Sequence, residues 1–309
     1  MNNFTEFMKF AVTGGAGFVG NNIVKLLVSK GHSVKVIDNL HTGKKENLKE
    51  VLEKIEFYNE DIRNLSKLES ILKDVDGIFH EAALTIVQES FTKQDEYFDV
   101  NVCGTENILK ISKKYNIKVV FASSSSIYGN PKGIPISEKF SRKPINPYGE
   151  TKLQDEMLAE KYSKNGVKVI GLRYFNIFGK GQTGSYAGVI TKFLKNIKLK
   201  KPLIIFGDGK QIRDFIHVKD IAKANLSIME SSINTGFFNI GTGNSVSINK
   251  LASIMIKISE HKEGISYLES LEGDVNESKA NTDLTKTKFN WNYSINLEDG
   301  LKELIKENF

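Results

Sequence analysis

The stretch Thr13-Gly14-Gly15-Ala16-Gly17-Phe18-Val19-Gly20 constrains this chain more than any other. An apolar run, Lys9–Thr13, leads into it, and a helical pattern, Phe18–Ser29, leaves it. A side chain at the turn would keep the backbone from approaching a pyrophosphate. The start of the helix offers free N–H groups and the positive end of a dipole. The next strand pattern, Val34–Asp38, ends in an acid eighteen residues past Gly20. A carboxylate there can accept hydrogen bonds from both ribose hydroxyls of NAD and would repel the 2′-phosphate of NADP. Asp61-Ile62 follows the third strand pattern, where the pair can flank an adenine or serve as a cap and a core residue.

The rest of the first half repeats the strand–helix alternation. Strands are expected at Glu56–Asn59, Gly77–His80, Lys118–Ala122 and Lys168–Arg173, and helices at Leu65–Lys73, Tyr97–Tyr115 and Tyr148–Ser163. Runs such as Val119-Val120-Phe121 are apolar throughout, as in a parallel sheet covered on both faces. The second half is more mixed, with helical stretches near Tyr186–Asn196, Val218–Ser231, Ile248–Ile258 and Leu297–Glu307. The expected fold is α/β: a Rossmann-type doubly wound parallel sheet with a smaller mixed α/β C-terminal lobe. The soft division is 1–175 and 176–309, with segments of the second part interleaving with the first.

Composition removes several classes. One cysteine, Cys103, excludes an intrachain disulfide framework and a cysteine-based zinc cluster. The five histidines show no metal-ligand spacing, so no metal is expected. No run approaches the roughly 18 apolar residues of a membrane span. The amino-terminal residues lack a signal-peptide core, and a cytoplasmic protein is expected. The net charge of +6 raises a nucleic-acid partner. The lysines are spread along the chain rather than clustered with aromatics, which weighs against one. Only four of the 43 basic residues are arginine: Arg63, Arg142, Arg173 and Arg213.

The fifth strand runs into Ser123-Ser124-Ser125-Ser126, and Tyr148 and Lys152 follow four apart at the start of a helix. That spacing puts both on one helical face. A free tyrosine titrates near 10 and is a weak base at neutral pH; an adjacent ammonium favours its phenolate. A serine at the neighbouring strand tip can hydrogen-bond the substrate oxygen that loses its proton.

With these residues in order, the chain resembles the extended short-chain dehydrogenase/reductases, and within them the NAD-dependent nucleotide-sugar epimerases of the UDP-glucose 4-epimerase type. The resemblance runs over the whole chain through Asp38-Asn39-Leu40-His41-Thr42-Gly43, His80-Glu81-Ala82-Ala83, Asn101-Val102-Cys103-Gly104-Thr105, Leu172-Arg173-Tyr174-Phe175-Asn176, Gly207-Asp208-Gly209, Arg213-Asp214-Phe215 and Asn239-Ile240-Gly241-Thr242-Gly243. It implies NAD as cofactor, lined by Phe18, Val19, Asn39, Leu40, Thr42, Gly43, Ala82, Ala83, Asn101 and Phe175 besides the glycines, Asp38, Asp61 and Ile62. It implies Ser124, Tyr148 and Lys152 as the catalytic group, all three also touching the cofactor. For the sugar nucleotide it implies Ser124, Ser125, Ser126, Asn176, Val189, Ile204, Phe206, Arg213, Asp274 and Ser278.

The resemblance also implies a substrate. Family dehydratases carry an Asp-Glu pair where this chain has Ser125 and Ser126, so epimerisation is favoured over water elimination. Most epimerases carry an arginine two residues before a Gly-Asp; this chain has Leu271 before Gly273-Asp274. Ser278 falls at the position that limits the pocket beside carbon 2, and a small residue there admits N-acetylhexosamines. The expectation is reversible 4-epimerisation of UDP-hexoses, with and without the N-acetyl group, through a transient 4-keto sugar. The alternatives are a UDP-glucuronate 4-epimerase, a net reductase or a non-catalytic dinucleotide sensor. The helices Tyr97–Tyr115 and Tyr148–Ser163 match the family's dimer interface, so a homodimer is expected.

Overall fold

The computed structural model describes residues 7–182 and 188–308. Its first half builds β1 (Lys9–Thr13), α1 (Phe18–Ser29), β2 (Ser33–Ile37), β3 (Glu56–Tyr58), α2 (Leu65–Leu72) and β4 (Gly77–His80). Next come the short turns α3 (Val87–Ser90) and α4 (Gln94–Tyr97), then α5 (Gly104–Tyr115), β5 (Lys118–Ser124), α6 (Pro147–Ser163) and β6 (Val169–Tyr174). The second half carries β7 (Asn176–Phe178), α7 (Val189–Lys198), β8 (Leu203–Phe206), β9 (Ile212–Arg213), β10 (Phe215–His217), α8 (Val218–Glu230) and β11 (Thr235–Ile240). The chain ends with β12 (Val246–Ser247), α9 (Ile248–Ser259), β13 (Ile265–Leu268), α10 (Asp283–Phe289) and α11 (Leu297–Asn308).

Seven of these strands form one sheet in the order β11-β6-β5-β4-β1-β2-β3. Every pairing in it is parallel, which requires crossovers and so puts helices on both faces. One face is covered by α1 and α8, with Phe10, Val12, Ile23, Leu27, Ile221 and Leu226 in the core. The other packs Ala11, Ile78 and Val119 against Leu68 of α2, Ile108 of α5 and Ala159 of α6. The seventh strand, β11, comes from beyond residue 175 and pairs with β6 from Thr235↔Val169 to Ile240↔Tyr174. A third core, with Phe193, Leu203, Ile205, Leu251 and Leu301, fills the smaller lobe around the two-stranded sheets β8–β13, β9–β12 and β7–β10.

The expected helix Tyr97–Tyr115 is interrupted. Residues Phe98–Cys103 form a π-helical stretch between α4 and α5, a wider turn that period-3.6 patterning does not reveal. The expected helix from Tyr186 begins at Val189 among the described residues, and Tyr186 itself lies outside them. No helix among the described residues is long and apolar enough to cross a membrane.

Candidate active site

Two adjoining cavities open at the carboxyl ends of the sheet strands, where open α/β sheets place their ligands. The larger, about 420 Å³, takes Gly14, Gly17, Phe18, Val19, Gly20, Asp38, Asn39, Thr42, Ile62, Ala82, Ala83, Ser124, Tyr148, Lys152 and Phe175 from the expected set. The second, about 370 Å³, takes Ser125, Ser126, Arg213, Asp274 and Ser278, and Asn176 lines both.

The glycine loop fits a pyrophosphate for steric reasons. Gly14 has φ +66°, and a Cβ there would lie 2.7 Å from the Ala82 nitrogen, so the loop touches backbone where a side chain would stand. No side chain caps α1, which leaves its first N–H groups facing the cavity. Asp38 is buried, its Oδ2 accepting from Ala16 N at 2.9 Å and its Oδ1 from Leu40 N at 2.8 Å. Burial pushes its carboxyl above the usual range. Four expected cofactor residues sit a step behind the wall. Leu40 turns the chain at φ +58°, and Gly43 packs on the Asp38 carboxylate. Asp61 accepts from Asn39 at 2.9 Å and from Arg63, and the guanidinium holds it down to about 2. Asn101, presented by the π-helical stretch, accepts from Leu84 N at 2.8 Å and donates to Leu84 O and the Thr151 hydroxyl. These contacts fix the Ala82–Leu84 segment of the wall. An NAD molecule therefore fits the residues present.

The expected catalytic residues come from two elements. Ser124 ends β5; its Oγ accepts from Ser126 N at 3.1 Å and donates to the Ser126 hydroxyl at 3.0 Å. Tyr148 and Lys152 stand on the first turns of α6, which starts cleanly because Asn146 caps Gly149 N at 2.8 Å and Pro147 fills the first position. Lys152 is 3% exposed, and its Nζ donates to Asp155 Oδ2 at 3.1 Å. Behind them lies a polar cluster that the sequence reading did not find. Glu156 is 0% exposed and accepts from Ser123 Oγ at 2.7 Å, from Arg173 Nε and Nη2 at 2.8 Å each, and from Arg142 at 3.0 Å. Arg173 also donates to Tyr128 Oη at 2.8 Å. This network ties β5, β6 and α6 together where Ser124 and Tyr148 leave them.

Glu81 lines the larger cavity, and its Oε1 accepts from the Tyr174 hydroxyl at 2.9 Å, which in turn accepts from Asn225 Nδ2 at 2.7 Å. Burial pushes the Glu81 carboxyl up to about 8. Its neighbour His80 bridges the hydroxyls of Thr13 and Thr105, and burial pushes it down to about 3.

In the second cavity Arg213 Nη2 donates to Asp274 Oδ1 at 2.5 Å, with Gln88, Lys192 and Leu271 nearby on the wall. Ser278 is buried there. Val189 lines the larger cavity. Of the described residues that line either cavity, none is Ile204 or Phe206. In β8 the side chains alternate, so Leu203 and Ile205 enter the small-lobe core while Ile204 is 39% exposed. Phe206 carries Lys192 Nζ 5.9 Å from its ring centre. Among the described residues, no group of three or more His, Cys, Asp or Glu could hold a metal ion.

Fold and cavity together define a Rossmann-type enzyme that holds a dinucleotide beside a Ser/Tyr/Lys group. The family model described as NAD dependent epimerase/dehydratase family matches residues 10–241. The chain belongs to that family, and its cofactor is NAD. A putative UDP-glucose 4-epimerase of Methanocaldococcus jannaschii is 38% identical over 304 residues, 95% of this chain and 96% of that protein. A UDP-N-acetyl-alpha-D-glucosaminuronate decarboxylase of Bacillus cytotoxicus is 33% identical, with 96% of each chain covered. The structure of a UDP-N-acetylglucosamine 4-epimerase from Methanobrevibacter ruminantium, in complex with UDP-N-acetylmuramic acid, superposes with a TM-score of 0.93 at 36% identity, covering 98% of each chain.

Proposed function

We propose that this chain interconverts UDP-hexoses at carbon 4. The observation that carries the reading is the placement of Ser124, Tyr148 and Lys152 on the same cavity wall as the glycine loop and Asp38, with Asn176 leading into the cavity of Arg213 and Ser278. NAD, held by the loop and Asp38, supplies a reversible hydride acceptor. Tyr148 takes the proton of the 4-hydroxyl and gives it back, the Lys152 ammonium favouring its phenolate. Ser124 orients that oxygen. The second cavity holds the diphosphate through Arg213, leaving the oxidised sugar free to turn its other face to the cofactor.

Ser125 and Ser126 offer hydroxyls where elimination would need an acid and a base, which supports epimerisation over dehydration. Ser278 leaves room beside the sugar for an N-acetyl group. Phe98 and Met157, 50% and 49% exposed on the paired helices, support a homodimer.

The test is incubation of purified protein, without added NAD, with UDP-glucose, UDP-N-acetylglucosamine, UDP-glucuronate and deoxythymidine-diphosphate glucose, products being resolved by NMR. Both UDP-hexose pairs are expected to equilibrate. Loss of carbon dioxide from a UDP-uronate, with no hexose epimerised, would replace the reading with a decarboxylase. Ser278→Tyr is expected to abolish turnover of the N-acetylated pair and spare the other; a joint loss would remove Ser278 from that role.

A further inference from the structure

Helix α6 carries more than the expected tyrosine and lysine on its inner face. Asp155, three residues after Lys152, is 0% exposed. One of its oxygens accepts from Lys152 Nζ at 3.1 Å, and the carboxylate also feels the Thr105 hydroxyl on α5. A carboxylate with so few partners in the interior is costly. A buried ion pair is also weak evidence of a stabilising role, because apolar residues of similar volume often do as well. Its position against Lys152 offers a use.

A lysine in a water-poor wall tends to shed its proton, and burial alone can lower a lysine by several units. Burial is the largest influence on Lys152 and acts in that direction, yet the ammonium is held above its usual value of 10.5, with Asp155 the main opposing cause. Tyr148 and Glu81 also face Lys152 and act the same way, more weakly. Burial pushes Asp155 itself up to about 6, against the pull of Lys152 and of the Thr105 hydroxyl on α5, and Glu156 adds to the rise. His80, on β4, is pushed down and carries no charge near neutrality.

We propose that Asp155 is a positioning residue for the reaction: it keeps the buried Lys152 side chain an ammonium, aimed along the cofactor wall, so that Tyr148 has a cation beside it. The proposal rests on the reading of Tyr148 and Lys152 as the proton-handling pair. It assigns Asp155 no contact with substrate or cofactor.

The experiment is kcat against pH for the holoenzyme and for Asp155→Asn and Asp155→Glu, with bound NAD measured in each. In Asp155→Asn the alkaline limb is expected to lie about one to three pH units below that of the unmodified protein, the usual effect of one opposite charge at contact distance. Asp155→Glu is expected to move it back up, with NAD content unchanged throughout. A merely structural residue would change the height of the profile or the NAD content and leave the limb in place, and that result overturns the proposal. Lys152→Met separates the two levels. An active Lys152→Met refutes the Tyr–Lys reading itself; an inactive one, with an unshifted Asp155→Asn limb, refutes only the role of Asp155. If Asp155→Asn does not fold, side-chain nitrogen NMR of the unmodified holoenzyme decides. Lys152 is expected to stay an ammonium after surface lysines begin to lose theirs, and deprotonation ahead of them overturns the proposal.

Discussion

Gly20→Ala puts the cofactor loop to a direct test. A Cβ on Gly20 would lie 2.2 Å from the carbonyl oxygen of Gly14, 2.7 Å from Gly15 Cα and 2.8 Å from the Gly14 carbonyl carbon. Carbon pairs rest about 3.5–4.0 Å apart, so the loop and α1 must separate by roughly 1 Å. All three neighbours are backbone, and no rotamer relieves the clash. The same Gly14 oxygen accepts from Gly17 N at 3.0 Å, so pushing it away also breaks the bond that closes the turn. Overpacking costs about 1–3 kcal/mol and a lost hydrogen bond about 1 kcal/mol. If the strain is expressed in the geometry that meets the pyrophosphate, NAD affinity falls roughly 30- to 1,000-fold. NAD content after purification and calorimetric titration of the stripped protein measure this. Gly31→Ala is the control: a Cβ there meets nothing within 4 Å, and its φ of +87° leaves backbone strain alone. That variant is expected to lose about 1–2 kcal/mol of stability with NAD affinity unchanged. Gly20→Ala binding NAD within about threefold of the unmodified protein would refute the steric argument.

Tyr148→Phe is expected to lower kcat by about 100- to 10,000-fold, the range of a positioned general base; turnover near that of the unmodified protein would remove Tyr148 from the role. Glu156→Ala strands the buried Arg173 guanidinium without its bidentate partner and is expected to cost about 3–5 kcal/mol in urea unfolding. A loss under about 1 kcal/mol would show the network to be dispensable. Glu81 has an ordinary value of 4.5 and is pushed up to about 8 in the fold, so the native state binds the extra proton between those values. Stability therefore falls as pH rises from about 4.5 to about 8 and levels off above that. Glu81→Gln is expected to flatten this slope in denaturant unfolding at a series of pH values; an unchanged slope would assign it to other groups.

The glycine loop was legible because its chemistry is local. Strand, turn, helix start and acid fall within about thirty residues, and Lys9–Thr13 and Phe18–Ser29 form with the expected bounds. Long-range features left weaker marks. Strand β11 finds its place only through pairing with β6, and Thr-Gly-Phe-Phe-Asn-Ile carries no clear alternation. The π-helical stretch that aims Asn101 leaves no period to read. The resemblance assigns Ile204 and Phe206 to a pocket, but a pleated strand shares its side chains between two faces and Ile204 falls on the outer one. Asp155 was visible in principle, three residues from Lys152 on the same helical face. Its meaning needed the burial of both groups, which no spacing discloses. Of the four arginines, Arg173 is held in the Glu156 network, while Arg213 lines the second cavity and pairs with Asp274.

In the proposed 4-epimerisation, hydrogen leaves carbon 4 as hydride, stays within the site and returns to the opposite face. UDP-glucose deuterated at carbon 4, incubated with the purified protein in ordinary water without added NAD, tests it most directly. UDP-galactose that keeps the deuterium at carbon 4 is expected. Deuterium lost to solvent, or no epimer formed with the protein carrying its NAD, would contradict it.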